Sequence, residues 1–220
     1  MTANCNPIEQ SSRSENKSIH KLKLLLVEGR EDSAVFKELC HHWGIVDIQI
    51  MEMKGIDNLH ARLEVLVRDP GFRALRSLAI ARDADTDPQR AFQSVRDALS
   101  KCQPFKTRLP SKAGERSRNY PATSVFIVPD NLSSGNLETM LNRTKEGDAT
   151  DACIDAFFDC LGREADFQLS GGRLDKARAY ARIAASSNPA RSVGHSVQAS
   201  GIWNLNHESL VPVQKFLSGL

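Results

Sequence analysis

Three carboxylates at alternate positions, Asp83, Asp85 and Asp87, follow a short apolar run in the stretch SLAIARDADTDP. Acids this close repel one another, and holding them together calls for a cation or a basic partner. Hard cations such as Mg²⁺ take a few carboxylate oxygens plus waters, and a loop at a strand end can supply them. A fourth acid, Glu28, ends an earlier apolar run, KLKLLLVEG. Cations held by such acids neutralise charge on oxygen and activate water, which is what phosphodiester cleavage requires.

The surrounding pattern explains how two acids so far apart in sequence come together. Continuous apolar runs at residues 21–29, 46–53, 77–82 and 123–128 suit strands buried on both faces. Between them, residues 31–43 and 56–68 and the stretch after Pro88 space their apolar residues as helices do. Alternating strands and helices predict an α/β, Rossmann-like fold: a central, mostly parallel four-stranded sheet with helices on both faces. In such sheets a site lies beyond the carboxyl ends of the strands, at a topological switch point. Two of these strands end in acids, at Glu28 and Asp83.

Residues 1–20 are rich in Ser, Asn, Glu and Lys and are expected to be disordered. The α/β core is expected over 21–145, with a helical C-terminal part over 146–220 packed on it. The loop at 103–121 carries Lys106, Arg108, Lys112, Arg116 and Arg118 against Glu115 alone, a net +4, and is the candidate nucleic-acid-binding segment. Arg173, Lys176, Arg178 and Arg182 add positive charge further on.

Composition narrows the classes. The chain is 40% hydrophobic and 25% charged, as in soluble globular proteins. A net charge of +2 points to no partner by itself. The five cysteines are odd in number and contain no C-x-x-C pair, against a disulfide framework or a cysteine zinc site. A reducing, cytoplasmic setting is expected, and no run is apolar and long enough to imply a membrane partner. His41 and His42 are adjacent, not i, i+4, so they make no metal pair.

The combination V-E-G after a first strand and D-x-D-x-D after a third resembles the Toprim domain of topoisomerases, primases, recombination-mediator proteins and several nucleases. VEGREDSA, residues 27–34, is similar to the type II topoisomerase pattern E-G-D-S-A with two residues inserted, and DADTD is similar to D-A-D-x-D. Asp32, four residues after Glu28, and SGNLE, residues 134–138, are similar to the Toprim domain of overcoming-lysogenization-defect nucleases. With DKARAYARIAAS and the tail GIWNLNHESLVPVQKFL, the chain from 21 to 220 is similar to an uncharacterised bacterial Toprim-related family of unknown function.

The resemblance implies a nuclease acting on DNA or RNA with Mg²⁺ or Mn²⁺. Glu28 would be the general acid/base or hold a metal-bound water, and Asp83 and Asp85 would bind the ion, with Asp87 as an outer ligand. Asp32 and Glu138 would complete a second metal site, and Lys176 would stabilise developing charge. The alternative is a non-catalytic Toprim module that binds metal and nucleic acid or serves a larger assembly. With no Walker motif here, an ATPase would be a separate chain; a homo-oligomer is compatible with the sequence.

Each residue also has an ordinary use. Glu28, Asp32 and Glu138 stand near helix starts, where acids are favoured anyway. Asp87 before Pro88 reads as a helix N-cap. Lys176 fits a solvated helix face, and the basic loop a solvated loop. A haloacid-dehalogenase phosphatase signature also begins D-x-D, but it wants Thr or Val where Asp87 stands, and on the first strand. A glycosyltransferase D-x-D wants a nucleotide-binding region ahead of it. A full topoisomerase needs a strand gate and a nucleophilic tyrosine, and only Tyr120 and Tyr180 are present.

Overall fold

Four short apolar segments pair into one parallel sheet: β1 (Lys23–Val27), β2 (Ile48–Glu52), β3 (Ser77–Asp83) and β4 (Ala122–Val128), in the order β2-β1-β3-β4. A computed structural model describes residues 18–118, 120–165, 167–198 and 201–220. The helices among these residues are α1 (Arg30–His42), α2 (Leu59–Val67), α3 (Pro88–Lys101), α4 (Leu137–Asn142), α5 (Ala149–Glu164), α6 (Gly172–Ala184), α7 (Val193–Ser196) and α8 (Val211–Ser218). The class is α/β with a Rossmann-like, all-parallel sheet.

Strand side chains alternate between two apolar layers, the period-2 consequence of the pleat. Leu25, Val27, Ile50, Ala79, Ala81, Phe126 and Val128 face a layer built by α1, α4, α6 and the C-terminal tail. Leu24, Leu26, Met51, Leu78, Ile80, Val125 and Ile127 face the opposite layer, built by α2, α3 and Phe105. Both faces are covered, which is why these strands read as unbroken apolar runs rather than alternating ones.

The chain passes from β1 through α1 to β2, then returns through α2 to β3 on the other side of β1. Since α1 and α2 cover opposite faces, the winding reverses between β1 and β3, which pair directly through Leu24↔Leu78 and Leu26↔Ile80. That pair is the switch point, and its carboxyl ends carry Glu28 and Asp83.

The tail completes the first layer. Trp203, Val213, Phe216 and Leu217 are buried there, with the Phe216 ring tilted against that of Phe126, centroids 5.1 Å apart. Trp203 Nε1 donates to Ser196 Oγ at 2.7 Å, and the backbone N–H of Gly194 donates to Glu31 on α1. A Cβ at Gly194 would come 2.7 Å from that of Ala34, so glycine allows α7 to lie this close to α1. By contrast α5 buries only Ile154. It is joined to α6 by ion pairs, Arg178 with Asp155 and the buried Arg182 with Asp151 and Asp148.

At the start of the described chain Ile19 is buried, its backbone N–H donating to Asp69 at 3.2 Å, and His20 N–H donates to Gln49 at 2.9 Å. Residues 18–20, expected to be disordered, instead belong to the folded chain, because Ile19 packs under the 3₁₀ turn Pro70–Ala74. Residues 1–17, including Cys5, lie outside the described residues. The four described cysteines are free thiols, Cys40 and Cys102 buried, Cys153 and Cys160 exposed.

Candidate metal centre

β1 ends at Val27, and Glu28 and Gly29 turn the chain into α1. Asp32, at the third position of that helix, accepts the Gly29 backbone N–H at 3.1 Å, an N-terminal capping arrangement. β3 ends on Asp83 itself. The next residues are held by backbone bonds to the strand and turn beside them: Ala84 N–H to Val128 at 2.9 Å, and Asp85 and Gly135 each donating to the other at 2.9 and 2.8 Å. Asp85 takes a left-handed backbone, φ 52°. Asp and Asn tolerate that region better than bulky residues, and the carboxylate is left exposed on the loop.

From the other side comes α4. Asn136 caps it, accepting Thr139 N–H at 3.0 Å while Thr139 Oγ1 accepts Asn136 N–H at 3.0 Å. This sets Glu138 in the first turn, buried at 8% exposure. Gly135 is required just before: φ is 134°, and a Cβ would meet Thr139 Oγ1 at 2.6 Å. Thr139 cannot turn away without losing Asn136 and Asp175. Gly135→Ala is expected to cost about 1–3 kcal/mol, read by chemical denaturation; a variant as stable as the parent would contradict the close approach.

The electrostatics single out three acids. Burial, then the neighbouring Asp32, push the Glu28 carboxyl up to about 7, although the Arg82 guanidinium and the Asp83 backbone N–H pull the other way. Burial raises Asp32 to about 6, with Glu138 and Glu31 adding to it. Asp83 is held well above the ordinary carboxylate range by burial and by Asp32, Glu28, Glu138 and Asp85, in that order. Its Oδ1 is sealed from solvent and has no hydrogen-bond partner. Among the described residues one ion pair reaches the group: Arg82 Nε lies 3.7 Å from Glu28 Oε1, while Arg82 Nη1 donates to the Ala91 carbonyl at 3.1 Å.

Asp130, in the turn that follows β4, shows the opposite solution. Burial alone would raise it, but Ser133 and Leu132 backbone N–H groups and the Arg143 guanidinium hold it at about 2. Arg143 Nη1 sits 2.6 Å from its Oδ2. Asp130 is satisfied by the protein; Asp83 is not.

The five acids Glu28, Asp32, Asp83, Asp85 and Glu138 are thus electrostatically one group. Among the described residues no three His, Cys, Asp or Glu side chains stand in position to hold an ion together. The donor set nevertheless fits a hard divalent cation: carboxylate oxygens, one of them buried without a partner, at loops with exposed neighbours. Thiol and imidazole, which softer metals prefer, are missing from it.

Asp87 points to a different job. Its Oδ1 accepts the Gln89 and Arg90 N–H groups at 2.9 and 3.0 Å, capping α3 ahead of Pro88. Asp87→Ala should lose about 1 kcal/mol of stability and leave Mn²⁺ affinity unchanged, checked by thermal melts and calorimetric titration. Lost Mn²⁺ binding at full stability would make it a ligand instead.

The basic loop runs beside β4, not over the acids. Arg116 bridges Ser124 antiparallel to the strand, the Arg108 carbonyl accepts the Thr123 hydroxyl, and Arg116 Nη1 donates to the Gly219 carbonyl at 3.2 Å. Those contacts lie at the amino-terminal half of β4, whereas the acids lie past its carboxyl end. Lys112 pairs with Glu115 at 3.1 Å; Lys106 and Arg118 are exposed. Arg178 and Arg182 are committed to α5, as above.

Lys176 is exposed on α6. A cation that sequence reasoning placed among the flanking charges is better positioned: Arg173 lines a cavity of about 630 Å³ together with Asp85, Thr86, Ser134, Asn136 and Ser170. The cavity opens beside the acids through Asp85. Its wall is stitched by Asn136 Nδ2 donating to the Gly172 carbonyl at 3.2 Å, and by Thr139 Oγ1 donating to Asp175 at 2.5 Å.

No curated protein and no solved structure matches the chain. A family match runs over residues 22–220, taking in the whole sheet, every acid of the group and the tail: the chain belongs to DUF3226, a family described as a protein of unknown function.

Proposed function

We propose that this protein is a Toprim-type, Mg²⁺- or Mn²⁺-dependent phosphodiester enzyme, a nuclease acting on DNA or RNA. One observation carries the reading: at the switch point of the sheet, Asp83 holds a buried, partnerless carboxylate oxygen in the field of four other acids, with Arg82 as the nearby cation. A protein gains nothing in stability from such a group, and groups of this kind concentrate at functional sites.

In this reading Asp83 and Asp85 hold the cation, Glu28 shares it, and Asp32 with Glu138 form the ligand set for a second ion. The bound ion supplies charge neutralisation on the reacting phosphate and lowers the pKa of the attacking water. In the metal-free protein Glu28 is raised to about 7; with a cation at the site it would fall, leaving the carboxylate ionised to hold the ion or take a proton from the water. Its contact with Arg82 orients it, and the exposed Asp85 and half-buried Glu28 keep the rotamer freedom to close on the ion. Arg173 supplies positive charge towards substrate.

The test is incubation of plasmid, single-stranded DNA and RNA with Mg²⁺, Mn²⁺ or EDTA. Cleavage with metal, abolished by EDTA and by Glu28→Gln, is the expected result. Metal binding without cleavage of any of these would favour the second reading, a metal-dependent binding module or subunit. That reading draws on the absence of a preformed three-ligand set among the described residues.

A further inference from the structure

The cavity beside the acids does not end at Arg173. At Ser170 it meets a second, of about 520 Å³, lined by Phe158, Phe167, Leu169, Leu174 and Arg178. The two differ in character. The first carries hydroxyls, an amide and the Arg173 guanidinium beside Asp85 and Asp175; the second sets the Phe158 and Phe167 rings, Leu169 and Leu174 among Asp159, Gln168 and Arg178. Both are within the size range of small-ligand pockets.

Two features of this region have no structural use. Arg173 makes no ion pair among the described residues, although Arg178 and Arg182 on the same helix are both paired. Large aromatic side chains are left in water: Phe167 is 45% exposed and Phe157 52%, on and just after a helix that buries only Ile154. Phe158 lies edge-to-face against Phe157, ring centroids 5.1 Å apart.

We propose that the two cavities form one track for a single-stranded nucleic acid, with a backbone phosphate held by Arg173 in the first and a base stacked on Phe158 and Phe167 in the second. The inference rests on the phosphodiester reading of the acids and specifies its substrate. Phosphate on a guanidinium with flanking hydroxyls gives charge-assisted hydrogen bonds. A base against an aromatic ring gives sequence-tolerant stacking. A duplex keeps its base faces inside its own stack, so only a single strand or a frayed end can use both cavities. The acids at Asp85 and Asp175 oppose a bare phosphate. A cation bound at the acidic group removes part of that repulsion, and Asp175 is engaged by the Thr139 hydroxyl.

The test compares binding of labelled oligothymidylate and an abasic strand of equal length to the full chain, by fluorescence anisotropy in EDTA. The strands share their phosphates, so repulsion from the acids cancels in the ratio of affinities. The parent protein should prefer oligothymidylate by about tenfold or more. Phe167→Ala and the volume-keeping Phe167→Leu should both erase that preference, with thermal melts confirming the fold. Arg173→Ala should weaken both strands alike and reduce the salt dependence of log affinity by about 0.7. Equal binding of the two strands by the parent, no binding of either, or a preference that survives Phe167→Ala overturns the proposal. Because cleavage plays no part, a protein that prefers bases yet cuts nothing with Mg²⁺ keeps this inference and loses the nuclease reading. One that cuts with Mg²⁺ but shows no base preference does the reverse.

Discussion

Asp83→Asn should abolish metal-dependent cleavage, by more than about 100-fold, since loss of a ligand exceeds the 10–100-fold typical of outer-shell partners. The same substitution should leave the metal-free protein at least as stable at pH 8 as the parent. Both expectations come from one cause. The Asp83 carboxyl is desolvated, lacks a partner for Oδ1 and feels four other acids, so the fold is worse off for having it ionised. Asparagine keeps the shape, removes the charge and removes the ligand. A structural acid behaves oppositely: Asp130, bonded by Ser133, Leu132 and Arg143, should destabilise when neutralised. Denaturant titration of Asp83→Asn in EDTA beside the cleavage assay separates the cases. A marked loss of stability would mean that Asp83 is structural.

The second large effect is on the pH dependence of stability. Glu28 and Asp32 have folded-state values near 7 and 6, above their ordinary ones of 4.5 and 3.8. Between the ordinary and the raised value the folded state binds more protons than the unfolded chain. The contribution to stability is therefore full below about pH 4 and is lost as pH rises towards 7. Each group accounts for on the order of 2–3 kcal/mol at pH 8, and Asp83 acts in the same direction. Their protons leave in steps that belong to the group as a whole.

Asp130 and Asp148, both held near 2, add the opposite limb, losing their contribution as pH falls below about 4. Thermal melts in EDTA should therefore peak near pH 4–5 and decline towards pH 8. A cation that binds only the ionised folded site offsets part of that decline, by about 2.7 kcal/mol at a hundred times its Kd. If the melting temperature in EDTA rises from pH 5 to 8, or Mg²⁺ leaves it unmoved at pH 8, the acids do not form a cation site.

Much of the fold was legible because both faces of the sheet are covered. KLLLV, SLAIA and ATSVFIV had to read as unbroken apolar runs, and the Gly and Pro residues between them mark where they stop. Asp87 was legible as a cap from its place before Pro88, a local signal. The pairing of Glu28 with Asp83 was only half legible. Each acid's place at a strand end followed from the pattern, but their adjacency depends on β3 lying beside β1, a consequence of helix packing on opposite faces.

The placement of the basic residues has non-local causes as well. The loop at 103–121 is drawn along β4 by the Arg116↔Ser124 bridge, which no local pattern announces. Arg173 stands in the first turn of α6, which begins at Gly172. That start puts Arg173 on the cavity wall, ahead of Lys176 on the same helix; both side chains are exposed.

The most direct test of the metal centre is anomalous diffraction from crystals soaked in Mn²⁺, measured near the manganese edge. The account predicts a peak within coordination distance of Asp83, about 2.0–2.2 Å from its freed oxygen, with Glu28 or Asp85 as a second protein ligand. Saturating Mn²⁺ that leaves no peak near Asp83, or places its only peaks elsewhere on the surface, would contradict it.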